Sequence, residues 1–345
     1  MVTPGQERIE RRLGAILAAG IRRREFIALL GGATAWPLLA HARKGKVRRI
    51  GFLSGTSRSA VSGALAGFTE GMRELDYTEG KDFVIEWRFA EGKYERFTEI
   101  ANDFVRLQVD VIVLGTPAAI DPVRQVTSTI PIVMGTSTDP VAKGFVASLA
   151  RPGGNITGLA NSNDDAAPKQ LELLAMVVSN LARVGVVMNP ESPNSAPILK
   201  NTQTAAQQAG FIIVAEEARN PQELESAFAV LATKNVGAVM VVSDPVTFLH
   251  RSLITKLALR YRLPSMFWLR EFTEDGGLMS YGESLKDFYR RAAAYVDKIF
   301  KGVKPADLPI EQPTRFKLVI NRKTADALGV TIPPQVYTFT DEVIE

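Results

Sequence analysis

Three short stretches in the first half of the chain concentrate hydroxyls and small residues: Ser54-Gly55-Thr56-Ser57, Gly115-Thr116-Pro117 and Gly135-Thr136-Ser137-Thr138-Asp139. Each follows an apolar run and precedes a helical pattern. Hydroxyls and free backbone N–H groups at such places hold an anion, a carboxylate for example, without any arginine. Ser54, Thr56, Thr116 and Thr136 are therefore candidate ligand contacts. Each of them taken alone reads first as a helix cap; three such clusters on one sheet edge are harder to assign to capping alone. The second half contributes Asn189 with Ser192, Ser243-Asp244, Trp268 and Tyr281. Asp139 or Asp244 suits an ammonium group, and Trp268 and Tyr281 offer rings to an aromatic or apolar ligand. The alternatives stay open. Both aspartates precede proline and read equally as helix starts, and both aromatics equally as core.

Other chemistry is missing. There are no cysteines, which excludes disulfides and thiolate nucleophiles, and only two histidines, His41 and His250. His250 is expected mid-helix in a structural role, and one histidine builds no metal cluster. The chain has no G-x-S-x-G elbow, no glycine-rich dinucleotide loop after a strand and no phosphate-binding P-loop. These absences argue against an enzyme, and neither a cofactor nor a metal is expected.

Elements that would position the hydroxyl loops alternate along the chain. Strands are expected at Arg48–Leu53, Phe83–Phe89, Asp110–Leu114 and Ile130–Met134, with helices over about 60–76 and 94–107 and a short one after Pro117. A second run repeats the plan: strands Arg183–Met188, Phe211–Ala215, Val236–Val242 and Leu263–Phe267, with helices over about 195–209, 221–234 and 246–260. Continuous apolar runs such as Val111–Leu114 mark strands buried on both faces. The fold class is thus α/β, with two doubly wound parallel-sheet lobes. Ligands of open α/β sheets bind outside the carboxyl ends of the strands, where the hydroxyl loops lie. The remaining segments, a helix over about 285–301, a strand Phe316–Ile320 and a helix Thr324–Leu328, read as pieces that complete each lobe by crossing between them. Crossings are expected near Gly158–Asn163, Met279–Glu283 and Gln312–Lys317, which makes a multi-crossing hinge. The first lobe is expected to comprise 43–160 plus about 284–312, and the second 161–283 plus about 313–345.

Residues 1–42 read as an export signal. Arg22, Arg23 and Arg24 precede an apolar run from Phe26 to Ala40, which ends in Ala40-His41-Ala42. That order of charge, apolar run and small-residue cleavage site is the signal-peptide pattern, and the run is too short to span a bilayer as a helix. The paired arginines resemble a twin-arginine signal. The chain's formal net charge of +4 comes mostly from this segment, which holds six arginines and three glutamates. The nearly neutral remainder offers no footprint for nucleic acid.

The stretch TDPVAKGFVASLARPGGNITG, from Thr138 to Gly158, closely resembles a signature of ABC-transporter substrate-binding proteins of the tryptophan/tyrosine type. So do RRIGFLSG from Arg48 and PTRFKLVINRKTA from Pro313. The resemblance spans essentially the whole chain. It implies a type I periplasmic-binding-protein fold and a role in import, with an ABC permease and its ATPase as partners. It also implies a small-molecule ligand such as an aromatic or other amino acid. The sequence departs from common members at Gly135-Thr136, where bulkier apolar residues are expected. The function expected is therefore capture of a solute in the periplasm by a monomeric binding protein, without chemical change. The alternative is a sensor subunit that reports the same kind of ligand to a membrane receptor.

Overall fold

The structure is a computed structural model. It describes residues 46–345 except Thr138, Ser162, Pro313 and Thr314, and of 163–165 the backbone alone. The export signal expected over 1–42 lies outside the described residues.

The first sheet is built from five parallel strands: β1 (Arg48–Ser54), β2 (Phe83–Phe89), β3 (Val111–Leu114), β4 (Ile132–Met134) and β5 (Ile156–Gly158), in the order β2-β1-β3-β4-β5. Its central strand β3 is wholly inaccessible, as its four consecutive apolar residues require once helices cover both faces. Those helices are α1 (Ser62–Glu74), α2 (Arg96–Arg106) and α3 (Ile120–Val126), the last preceded by a 3-10 turn at Pro117–Ala119.

Seven strands form the second sheet: β6 (Arg183–Met188), β7 (Ile212–Glu217), β8 (Ala238–Val241), β9 (Ser265–Phe267), β10 (Met279–Gly282), β11 (Lys317–Asn321) and β12 (Thr340–Ile344). Their order is β12-β11-β10-β9-β8-β6-β7. Helices α4 (Asn163–Val177), α5 (Ser195–Ala209), α6 (Pro221–Thr233), α7 (Pro245–Leu249), α8 (Arg251–Arg260) and α9 (Arg270–Glu274) surround it. The two runs are not simple copies. β10 is expected as a crossing segment, yet it pairs antiparallel with β11, and this pairing adds an edge that the first sheet lacks. The single helix expected over 246–260 is two, separated at His250, which ends α7 and precedes α8 rather than sitting mid-helix. Burial lowers the pKa of His250 below the usual histidine value, against the opposing pull of the Asp244 charge.

Helix α10 (Leu285–Phe300) follows β10 in the chain but packs on α1 of the first lobe. Two glycines of α1 permit the close approach. A Cβ on Gly67 would stand 2.5 Å from the carbonyl oxygen of Lys286, and one on Gly71 2.5 Å from that of Arg290. Tyr289 of α10 is wholly buried against Phe52 of β1, edge to face with ring centroids 5.2 Å apart and planes at 66°. Beyond α10 the chain reaches 3-10 turn Pro305–Asp307 and stays on the first sheet. Thr157 Oγ1 donates to the Leu308 carbonyl at 2.8 Å, and Ala160 N to that of Glu311 at 2.9 Å. α11 (Arg322–Leu328) and α12 (Pro334–Tyr337) then close the second lobe. Between the two sheets the chain passes after β5, after β10 and before β11.

Candidate functional site

An open cleft of about 870 Å³, its solvent mouth included, lies between the two sheets. On the first-lobe side its wall contains Ser54, Thr56, Thr116 and Thr136. On the second-lobe side it contains Ser192, Asn194, Ser243, Asp244 and Trp268, and Glu283, Phe288 and Tyr289 stand at the crossing segment and its helix.

The first wall is assembled by the carboxyl ends of β1, β3 and β4, which adjoin in the sheet. Ser54 Oγ accepts from Thr56 N at 3.3 Å, which folds the loop back on itself. Thr116 occupies the position before the 3-10 turn, yet its side chain makes no capping bond. Thr136 Oγ1 accepts from Asn161 Nδ2 at 2.6 Å, so this hydroxyl is tied to the crossing after β5 and caps no helix. Gly135 has a steric reason to lack a side chain. A Cβ there would stand 2.9 Å from the Leu114 carbonyl and 3.4 Å from the Tyr289 ring. The same ring forbids a side chain at Gly115, whose added Cβ would meet the Tyr289 hydroxyl at 2.3 Å. That hydroxyl donates to the Gly115 carbonyl at 2.9 Å, and burial holds it protonated by raising its pKa.

Asp244 is both a helix start and a cleft residue. It caps α7: Oδ1 accepts from Thr247 N at 2.7 Å, while Thr247 Oγ1 accepts from Asp244 N at 2.9 Å, with Pro245 in the first turn. Its other oxygen, Oδ2, accepts from Asn189 Nδ2 at 2.7 Å and from the Tyr94 hydroxyl at 2.6 Å. Tyr94 precedes α2 in the first lobe, so this last bond joins the two lobes. Burial, and next the Asp244 charge, raise the Tyr94 pKa and keep its hydroxyl a donor. Two further contacts accompany it: Lys143 Nζ donates to Asn194 Oδ1, and Gly55 lies against the Pro245 ring.

Trp268 is 3% exposed, and its indole Nε1–H has no hydrogen-bond partner although the ring lines the cleft. A buried donor left so is costly unless a ligand satisfies it.

Three expected contacts lie elsewhere. Asp139 is exposed in a left-handed turn (φ 40°), where Oδ1 accepts from Ala142 N at 3.0 Å. It starts a turn and does not line the cleft. Asn189 is wholly buried and supports Asp244 from behind. The Tyr281 ring stacks on Phe316, centroids 5.4 Å apart, because its strand directs it away from the cleft wall and onto the approach to β11. Sequence reasoning missed Tyr94, Asn161 and Glu283. Asn161 and Glu283 lie within the crossings expected near Gly158–Asn163 and Met279–Glu283, and that placement is the available signal.

Comparison with known proteins agrees with this geometry. The ABC transporter substrate binding protein family matches residues 46–344. A tyrosine-binding protein of Clostridioides difficile (strain R20291) is 25% identical over 286 residues, which is 83% of this chain and 82% of the relative. Among solved structures, an ABC domain from Streptococcus pneumonia in complex with L-Trp superposes with a TM-score of 0.80 at 25% identity, covering 87% of this chain and all of that one. A conserved domain protein from Vibrio cholerae superposes with a TM-score of 0.81 at 26% identity, covering 86% and 100%. The two-lobed α/β fold, the cleft between its sheets and the family match over nearly all of the described chain lead to one conclusion: this chain belongs to the ABC transporter substrate binding protein family, whose members bind their substrates rather than transform them.

Proposed function

We propose that the protein captures an aromatic amino acid in the cleft, outside the cytoplasmic membrane, and passes it to the permease of an ABC importer. The observation that carries this reading is the presence of both hydroxyls and aromatic rings on the cleft wall. Ser54, Thr56 and Thr116 face the cleft from one lobe, and Trp268, Phe248 and Phe288 supply rings. Hydroxyls take a carboxylate; rings take an aromatic side chain. The relatives that bind tyrosine and tryptophan support the same class of ligand. Delivery outside the membrane is supported by the signal-like pattern over residues 1–42. Among the described residues no helix is long and apolar enough to cross a membrane. On this reading the two lobes close on the ligand about the crossing segments, and the closed form is selected because only it touches the ligand from both sides.

A thermal-shift panel of amino acids, sugars and small carboxylates tests the assignment. Tyrosine, tryptophan or phenylalanine is expected to raise the melting temperature, since a ligand at a hundred times its Kd stabilises by about 2.7 kcal/mol. A panel in which only sugars shift the transition refutes it.

A further inference from the structure

Thr116 and Thr136 of the hydroxyl wall each follow a glycine, and both glycines lie against one ring. The ring is that of Tyr289 on α10, wholly buried and part of the cleft wall. Its Cε1 and Cδ1 stand 3.4 and 3.5 Å from where a Cβ on Gly135 would lie, and its hydroxyl oxygen 2.3 Å from one on Gly115. The fit runs both ways. The ring fills the volume that the two glycines leave, and its buried hydroxyl needs an acceptor, which the Gly115 carbonyl supplies at 2.9 Å.

That carbonyl shares a planar peptide with the Thr116 nitrogen, so the bond fixes the plane from which Thr116 departs. Thr116 needs such a fixture. It lines the cleft, yet its hydroxyl makes no capping bond and no other hydrogen bond among the described residues. Its methyl packs toward Gly55, where a Cβ would meet Thr116 Cγ2 at 3.2 Å, and the hydroxyl is the polar end left for a ligand. Thr136 differs, because Asn161 Nδ2 donates to its hydroxyl and tethers it directly. The tyrosine is itself firmly seated: its ring meets Phe52 edge to face, and α10 rests on Gly67 and Gly71 of α1.

We propose that Tyr289 is a positioning residue of the cleft: through its bond to the Gly115 carbonyl it holds Thr116 in the orientation that offers the threonine hydroxyl to the ligand. This role rests on the reading above, in which the hydroxyl wall binds the ligand, and adds the residue that preorganises that wall. Thr116 then loses its freedom when the chain folds and not when the ligand arrives, which favours binding. The same fit accounts for glycine at both 115 and 135.

A double-mutant cycle read by calorimetric titration with L-tryptophan tests this, using the wild type, Thr116→Val, Tyr289→Phe and the pair. Thr116→Val removes the hydroxyl and keeps the methyl, whereas Tyr289→Phe removes the bond and keeps the ring. Each single variant is expected to lose about tenfold in affinity. The pair is expected to lose little more than Thr116→Val alone, because without the threonine hydroxyl nothing is left for Tyr289 to position. Losses that multiply in the pair overturn the role, since a tyrosine that only stabilises the fold acts independently of that hydroxyl. Unaltered affinity in either single variant overturns it as well. One measurement needs no variant to fold: in the free wild-type protein, three-bond couplings to the Thr116 methyl carbon are expected to report a single rotamer. Rotamer averaging there overturns the role. A wild-type protein that binds neither L-tryptophan nor L-tyrosine refutes the amino-acid reading instead, and the couplings still decide whether Thr116 is held.

Discussion

Asp244→Ala is expected to destabilise the unliganded protein by about 2–4 kcal/mol and to weaken ligand binding as well. The two effects have separate origins. Thr247 N and Asn189 Nδ2 belong to the same lobe as Asp244, and the substitution strips both of their acceptor whether or not the lobes touch. Loss of the cap costs about 1 kcal/mol, and each buried donor left without an acceptor costs about 1–3 kcal/mol. The Tyr94 bond exists only when the lobes meet, so it enters the affinity through closure. Tyr94→Phe isolates that part. It removes one hydroxyl, leaves the cap intact and is expected to weaken binding by about tenfold or more, with little change in the denaturant midpoint of the free protein. Denaturation and calorimetry on both variants check this. Wild-type affinity in Tyr94→Phe would show that the bond between lobes does not stabilise the liganded form.

Gly282→Ala is expected to abolish measurable binding and to cost about 3 kcal/mol of stability. The added methyl meets backbone, the Trp268 carbonyl oxygen at 1.8 Å and its carbon at 2.9 Å, so no rotamer change relieves the clash. The end of β10 must move off β9, and Glu283 and Trp268 move with it. Gly154→Ala is the control. Nothing lies within 4 Å of a Cβ at Gly154 and its φ is not positive, so its stability stays within about 0.5 kcal/mol of wild type. Equal behaviour of the two variants would mean that the strand ends tolerate separation and that the site does not depend on their contact.

What was legible in the sequence follows from the range of the interactions involved. β6 and α5 are expected over 183–188 and 195–209 and are found there. Their signals are local: a continuous apolar run for the strand, and Gly210 in a left-handed C-cap (φ 82°) for the end of the helix. α4 has a weak local signal, because Pro168 lies inside it and an internal proline ordinarily argues against a helix. The break at His250 was equally hidden, since no glycine or proline marks it. The antiparallel pairing of β10 with β11 depends on a return of the chain from the first lobe, and local pattern carries no record of that.

The site divides along the same line. Ser54, Thr56, Thr116 and Thr136 were legible because a hydroxyl loop at the carboxyl end of a parallel strand faces the crevice by topology alone. Trp268 and Asp244 reach the cleft for the same reason, from the ends of β9 and β8. Tyr281 obeys the opposite constraint. Its ring stacks on Phe316, on the approach to β11, instead of reaching the cleft wall. Tyr94 was not legible, because its partner Asp244 is 150 residues away and on the other lobe. The reason for Gly135 was hidden too: the ring that needs the space belongs to Tyr289, which enters the first lobe only after the chain has built most of the second.

The central claim, that the cleft receives an aromatic amino acid, is tested most directly by one calorimetric titration of the wild-type protein with L-tryptophan and L-tyrosine. The predicted result is saturable binding of at least one of them, one ligand per chain, with a negative heat-capacity change from burial of its ring against Trp268 and the phenylalanines. Absence of saturable heat with both, at protein concentrations that would reveal binding of about 100 μM or tighter, would contradict it.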